Sequence, residues 1–494
     1  MRKFRKAENN IVNYNFNRNI SYSNLSKIIN KKSLVATIAL LFLLFAFSPY
    51  KSNADAIEPA SKIPENNWQL VFNEEFNDSI LDKNKFNDEN YLIHWTTPEN
   101  ARAKYTLAEG NISLNIPKEP SPWWHGTDKQ KLSSIQTGMR DGMHRFDKNL
   151  CTITDHHPAI NNFITQYGYF ELRAKAPSAG GIHSAWWMIG AEDFRNQQAE
   201  IDIFEILGPE VGQKWSKVRA GVHPWGDPDI RRETLYYHVK ADLESDFHTY
   251  GFLWEPEGMK FYFDGKLVRT SKQSPNYKML TLLGIYEGWN GITWSKNPDP
   301  NDNNYPKQFT IDYFRAFQTP EMIKFNQDRD FALEERAKIE NNLALLATAG
   351  VGQDYHWTSL PSHLNDGDSS ENSAFQSQDF TKNSDNEFSK ILDKPEYIYF
   401  DWEDLKSISE ISLDVRYALL QAPTNWDIEY SLDGETDWQL IAQSGNVQWD
   451  TADNNLESKT LTFPTVHAKA IRIKINSANI YWNHYAINEV RIAS

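Results

Sequence analysis

The sequence predicts an all-β protein made of antiparallel sandwiches, with one short helical connector between two β regions. Runs that alternate polar and apolar residues recur, as at 111–116 and 167–175, and this is the two-residue period of a half-buried strand. Turn residues separate such runs at intervals that suit two antiparallel sheets packed face to face. Before about residue 320 no stretch of useful length has the three-to-four-residue period of a helix. With 494 residues, the chain is long enough for two or more domains, each with a core.

Residues 1–33 are polar and basic, and an apolar run follows from 34 to 47, of signal-peptide length and too short to span a bilayer comfortably. Lys31 and Lys32 precede that run, and Ala54-Asp55-Ala56 offers a small-x-small cleavage pattern. The expectation is a secretory signal over 1–56 and an extracellular protein that leaves the membrane once cleaved; an uncleaved anchor is the alternative. No cysteine follows the cleavage pattern closely, which argues against a lipid anchor, and Cys151 has no second cysteine to form an intrachain disulfide. The charged stretch 320–340 has a helical period through Met322, Phe325, Phe331 and Leu333 and reads as a connector. A second β pattern then runs from Asn341 to the C-terminus.

Lysine and arginine total 51 against 66 acidic residues, a net charge of −15. That balance argues against nucleic acid as a partner, and against a strongly anionic polysaccharide unless a local basic groove overrules it. Seventeen Trp and 22 Tyr supply many flat apolar faces of the kind that stack on sugar rings. A monomer is expected, with no redox or nucleotide cofactor.

The chemistry concentrates in Glu200-Ile201-Asp202-Ile203-Phe204-Glu205, three carboxylates in a stretch that otherwise reads as a buried strand. Strand alternation puts Glu200 and Asp202 on one face, but it would put Phe204, not Glu205, beside them. One extra residue in a β-bulge at Ile203-Phe204 returns Glu205 to the acidic face. Three acids on one face repel one another and cost free energy to bury, so they imply a use. Glycosidic-bond cleavage is such a use: Glu200 as nucleophile, Glu205 as acid then base, and Asp202 orienting Glu200 and raising a neighbour's pKa. Carboxyls on one strand face are expected roughly 5–6 Å apart, the spacing of a retaining double displacement. Trp186 and Trp187 alternate between core and sugar-facing floor, while Trp289 and Trp294 rim the site on an aromatic, glycine-rich loop.

This stretch resembles the bulged Glu-x-Asp-x-x-Glu signature of glycoside hydrolase family 16, and flanking segments over 66–318 carry the resemblance further. The resemblance implies a jelly-roll sandwich with a concave substrate groove and a secreted endo-β-glycosidase acting on a polysaccharide or glycan. It departs at Gly181-Ile182-His183-Ser184-Ala185-Trp186-Trp187, where His183 stands in place of a typical Trp, and at Ala199 before the first acid. These departures lean the expected substrate from β-1,3-glucan towards a β-galactosidic chain of mucin type, with laminarin-type glucan and a non-catalytic glycan-binding protein as alternatives. Ala220-Gly221-Val222-His223-Pro224-Trp225-Gly226 matches the following strand of the family, and implies that His223 meets Glu205 or a substrate hydroxyl. Segments 68–76, 247–266 and 310–317 resemble the family's opening strand, a hairpin with an Asp264-Gly265 turn and its closing strand, and the last implies a structural calcium held by Asp312 with Glu75.

After a linker at 319–340, residues 341–494 resemble a discoidin-like carbohydrate-binding module of family 32, on segments at 364–370, 425–434, 470–475 and 487–492. That resemblance implies a second calcium at Asp366, Asp368 and Glu489, and sugar contact near Tyr481, Trp482 and His484. No cofactor is required for the chemistry itself.

Overall fold

The computed structural model describes residues 57–494, apart from 64–66, 90, 93–95, 120–130, 147–150, 195, 289–301 and 383–390. The expected signal over 1–56, together with Trp289 and Trp294, lies outside the described residues. The first β region comprises β1 (Gln69–Glu74), β2 (Tyr105–Ala108), β3 (Asn111–Ile116), β4 (Lys131–Gln136), β5 (Ile164–Thr165), β6 (Gly168–Lys175), β7 (Ile182–Gly190), β8 (Glu200–Leu207), β9 (Ser216–His223), β10 (Glu233–Val239), β11 (His248–Glu255), β12 (Gly258–Phe263), β13 (Lys266–Ser271), β14 (Met279–Glu287) and β15 (Lys307–Gln318). They form two antiparallel sheets. One runs β13-β12-β11-β6-β15-β3-β2 with β1 added beside β15, and the other runs β10-β9-β8-β7-β14-β4 with β5 added beside β14.

Alternation along each strand explains why the sheets stack. Phe170 and Leu172 of β6, Phe252 of β11 and Phe314 of β15 meet Trp186 of β7, Ile201 and Phe204 of β8 and Leu283 of β14 in one buried core. Burying a large apolar side chain is worth roughly 1.5–3 kcal/mol, so this layer dominates the stability of the region. The first and last strands close it together, since β1 pairs with β15 from Gln69↔Gln318 to Glu74↔Phe314. Asp264 and Gly265 both take positive φ, 45° and 74°, and join β12 to β13 in the tight turn that the Asp-Gly pair predicts. On the opposite face of the second sheet, a smaller apolar cluster of Tyr91, Leu92, Met143, Cys151, Trp187 and Tyr286 covers β7, β14 and β4 and leaves β8 to the site.

The connector is a helix over Pro320–Glu340. Thr319 caps it by accepting from Met322 N, Pro320 occupies the first turn, and Asn341 ends it in the left-handed conformation. Phe325 and Phe331 stay 46% and 60% exposed, so its apolar period does not mark a buried stripe.

The second β region begins with a 3-10 turn, Leu343–Leu346, rather than with the strand expected from Asn341. Its strands are β16 (Thr348–Val351), β17 (Phe375–Gln376), β18 (Ile391–Arg416), β19 (Pro423–Ser431), β20 (Gln439–Gln443), β21 (Leu456–Ala478), β22 (Ala486–Ile487) and β23 (Glu489–Ala493). The larger sheet runs β16-β18-β21-β19-β20 with β23 beside β18, while β17 pairs with β22. Trp402, Trp426, Trp449, Ile473 and Tyr485 build its own core.

Candidate active site

β8 carries the predicted bulge. Against β7 its register runs Trp186↔Phe204 and then Trp187↔Asp202, which leaves Ile203 unopposed. Against β9 the ladder steps from Asp202↔Gly221 to Glu205↔Arg219. Two consecutive residues therefore face the core, with Ile203 2% and Phe204 0% exposed. Glu200, Asp202 and Glu205 share the other face.

Each acid has an imidazole beside it. The Trp225 indole N–H donates to Glu200 Oε2 at 2.8 Å, and His144 Nε2 lies 3.0 Å from the same oxygen. His223 Nε2 lies 3.2 Å from Asp202 Oδ2, and His183 Nε2 lies 3.2 Å from Glu205 Oε1. Burial pushes the Glu200 carboxyl up, but the hydrogen bond and charge of His144, the charge of His223 and the Trp225 N–H outweigh it and hold Glu200 down at about 2. Asp202 moves the other way: burial, then the charges of Glu200 and Glu205, raise it well above the usual carboxylate range against the pull of His223. For His223, burial lowers the imidazole, yet Asp202 and Glu200 together raise it to about 9. Glu200 is thus the anion of the pair and Asp202 the better seat for a proton. An ionised carboxylate next to a protonated one, with a third acid along the strand, suits attack at an anomeric carbon coupled to proton donation.

Several expectations need correction. Trp186 is 0% exposed and packs edge-on against Phe204 and Phe314 between the sheets, so it is a core residue and contacts no substrate. Trp187 is its outward neighbour: it lies on the acidic face, donates to Tyr286 Oη at 3.2 Å and sits 5.4 Å from the His144 ring. His223 meets Asp202 rather than Glu205, because β9 sets it opposite Glu200, and the imidazole beside Glu205 is that of His183. His144 and Trp225 were not anticipated as site residues. His144 arrives on a loop far upstream, held by its backbone N–H donating to the buried Glu192 at 2.8 Å. Trp225 is 39% exposed, with its ring stacked on His223 at 5.6 Å and the Arg232 guanidinium 5.6 Å from its centroid.

The calcium expected at Glu75 and Asp312 does not match the side chains. Glu75 receives a two-pronged bond from Arg315 at 2.7 and 2.8 Å, and Asp312 pairs with Arg173, so each charge is already met by its own guanidinium. In the second region Asp366 and Glu489 do come together, while Asp368 accepts from the backbone N–H of Ser370. Burial and the charge of Asp366 push Glu489 up to about 9, and burial pushes Asp366 up to about 6. Glu489 Oε1 is buried without a hydrogen-bond partner. An oxygen-preferring divalent cation fits Asp366 and Glu489, since it would satisfy that oxygen and let both carboxylates ionise. Tyr481 and Trp482 are 62% and 43% exposed, and Tyr417 packs edge-on against Trp482; His484 turns inward beside His356 instead.

Residues 145–315 match the family model "Glycosyl hydrolases family 16", and residues 348–490 match "F5/8 type C domain". The chain carries a family 16 glycoside hydrolase domain. The β8 acids lie within that domain's span. Over 291 residues the chain is 23% identical to "Kappa-carrageenase" of Pseudoalteromonas carrageenovora, covering 54% of this chain and 68% of that one. Over 160 residues it is 31% identical to "Beta-glucanase" of Acetivibrio thermocellus, covering 28% of this chain and 46% of the relative. Among solved structures it resembles "GlcNAc[alpha]1-4Gal releasing endo-[beta]-galactosidase from Clostridium perfringens", with 30% identity over 54% of this chain and 66% of that one, at a TM-score of 0.47. The chain thus spans less than half the length of the glucanase relative and about two thirds of the other two.

Proposed function

We propose that this family 16 domain makes the protein an endo-β-glycosidase that retains anomeric configuration, with Glu200 as nucleophile. The observation that carries the reading is the bulge, which sets Glu200, Asp202 and Glu205 on one face with Glu200 as the anion. A Glu200 oxygen bonds to the anomeric carbon as the glycosidic C–O bond breaks, and Glu205 passes its proton to the leaving oxygen. Water then attacks the same carbon, gives its proton to Glu205 and releases Glu200. Asp202, with His223 behind it, takes up the proton that Glu200 does not hold. The Trp225 ring, 39% exposed beside the nucleophile, offers the surface on which a sugar stacks, whereas Trp187 is buried.

The substrate we assign is a β-galactosidic chain of mucin or related type. His183 beside Glu205 and His144 beside Glu200 support it, because an imidazole can either accept from or donate to an axial hydroxyl, whereas an indole can only donate. Export through the 1–56 signal belongs to the same reading, supported by its basic, apolar and small-x-small order. So does a calcium ion at Asp366 and Glu489, which would neutralise two buried carboxylates and stiffen their loop.

The test is to incubate the purified protein with mucin O-glycans and with laminarin, and to follow reducing ends and the product anomer by proton NMR. The β anomer should appear first from the galactose-containing chains, and Glu200→Gln or Glu205→Gln should remove the activity. An initial α anomer, or a Glu200→Gln protein as active as the parent, would refute the mechanism. Cleavage of laminarin alone would move the substrate to β-1,3-glucan.

A further inference from the structure

His144 reaches Glu200 from a loop that the catalytic sandwich holds only in part. The next residue, Arg145, has a side chain only 4% exposed and is held largely by the second β region. Its Nη2 donates to Asp354 Oδ1 at 2.9 Å, its Nη1 to the Tyr355 carbonyl at 3.4 Å, and its Nε to the carbonyl of Cys151 at 3.1 Å. The guanidinium also lies 4.2 Å from the Tyr355 ring centroid and 5.0 Å from that of Trp357. A planar, always-charged fork gripped on its edge and its face has little freedom, so the backbone that carries it is fixed as well.

The rest of the loop is anchored the same way. Asp141 accepts from Val351 N at 3.1 Å, and His156 bridges Asp141 at 2.5 Å to Asp401 at 3.4 Å while stacking on Tyr399 at 3.7 Å. Ile153 is buried in the second region's core. Two glycines allow the approach. Gly142, at φ +72°, lies directly against the Tyr355 hydroxyl, and a Cβ on Gly350 would come within 2.6 Å of Asp141 Oδ2 and 2.8 Å of His156 Nδ1.

We propose that the second domain is a working part of the catalytic site, with Asp354, Tyr355 and Trp357 gripping Arg145 so that the adjacent His144 is held on Glu200. Arg145 and Asp354 are positioning residues: neither touches the acids, and both act through His144. The inference rests on the assignment of Glu200 as nucleophile, and it gives the module a task besides any glycan binding of its own.

The experiment uses the full chain labelled with 13C-histidine, with the His144 Cε1–H signal assigned from its loss in His144→Gln. Asp354→Ala should shift the His144 signal and leave that of His183, beside the other catalytic acid, in place. It should lower kcat/KM for reducing-end release from mucin O-glycans or laminarin about two- to fourfold near pH 3, with little change near pH 6, when His144 is present and not at all in a His144→Gln background. Asp354→Asn, which keeps an oxygen acceptor for the guanidinium, should recover most of the rate and serves if Asp354→Ala does not accumulate folded. An unmoved His144 signal, or losses that simply add, would overturn the proposal. A shifted signal with losses that do not add upholds the clamp, and a Glu200→Gln protein of undiminished rate would overturn only the assignment of Glu200.

Discussion

Replacing His144 by Gln tests the electrostatics of the nucleophile most directly. The Glu200 carboxyl lies at about 2 against an ordinary value of 4.5, a gap of 4.5 − 2, or about 2.5 units. At 1.36 kcal/mol per unit, this is about 3 kcal/mol of preference for the anion. Three groups supply it, and the hydrogen bond and charge of His144 stand first among them, ahead of His223 and Trp225. Removing His144 should therefore return the larger share, about 1–1.5 units. In the proposed mechanism Glu200 attacks as the anion, so its titration should form the acid limb of kcat/KM for the free enzyme. The limb should move up in pH by that amount, with activity falling about two- to fourfold near pH 3 and little change near pH 6.

Thermal stability is the wrong readout. A depressed Glu200 contributes stability that is present above about pH 4.5 and lost as pH falls towards 2. The raised Asp202 works oppositely: its contribution is present below its ordinary 3.8 and lost as pH rises. An acid limb that stays in place, or a loss equal at every pH, would refute the reasoning.

Deleting Ile203 removes the residue that β7 leaves unopposed and leaves a regular alternation from Glu200 through Asp202 to Glu205, so Glu205 should stay on the Glu200 face; catalysis should persist while circular dichroism keeps its β signature, and its loss in a folded protein would refute the bulge reading. Trp186→Ala, fully buried between the sheets, should cost about 3–5 kcal/mol and lower the melting temperature, with KM of the folded enzyme unchanged. Chelation by EDTA should lower the melting temperature of the parent chain, and Glu489→Gln should lose that sensitivity, as differential scanning calorimetry would show.

The site was legible in the sequence wherever its geometry is local. Ile203 and Phe204 break the two-residue period within a short stretch, so the bulge and the shared acidic face follow from the order of residues alone. Trp186 and Trp187 show the limit of the same rule: alternation says that they face opposite ways, but only the strand's neighbours decide that Trp186 is the inward one. His144 could not be read at all, because no spacing links a loop histidine to a carboxylate a sheet away. His223 was placed on the correct strand but beside the wrong acid, since pairing register with β8 is a tertiary fact. Asp312 and Glu75 looked like calcium ligands until Arg173 and Arg315 proved to occupy them, and cross-strand partners of that kind leave no mark in a linear pattern.

Ile153 contributes its side chain to the interior of the module that follows it in the chain. A gene fragment cut in the Pro320–Glu340 helix would expose that apolar group on one product and leave a hole in the other. Recombining either half with a foreign partner would carry the same penalty.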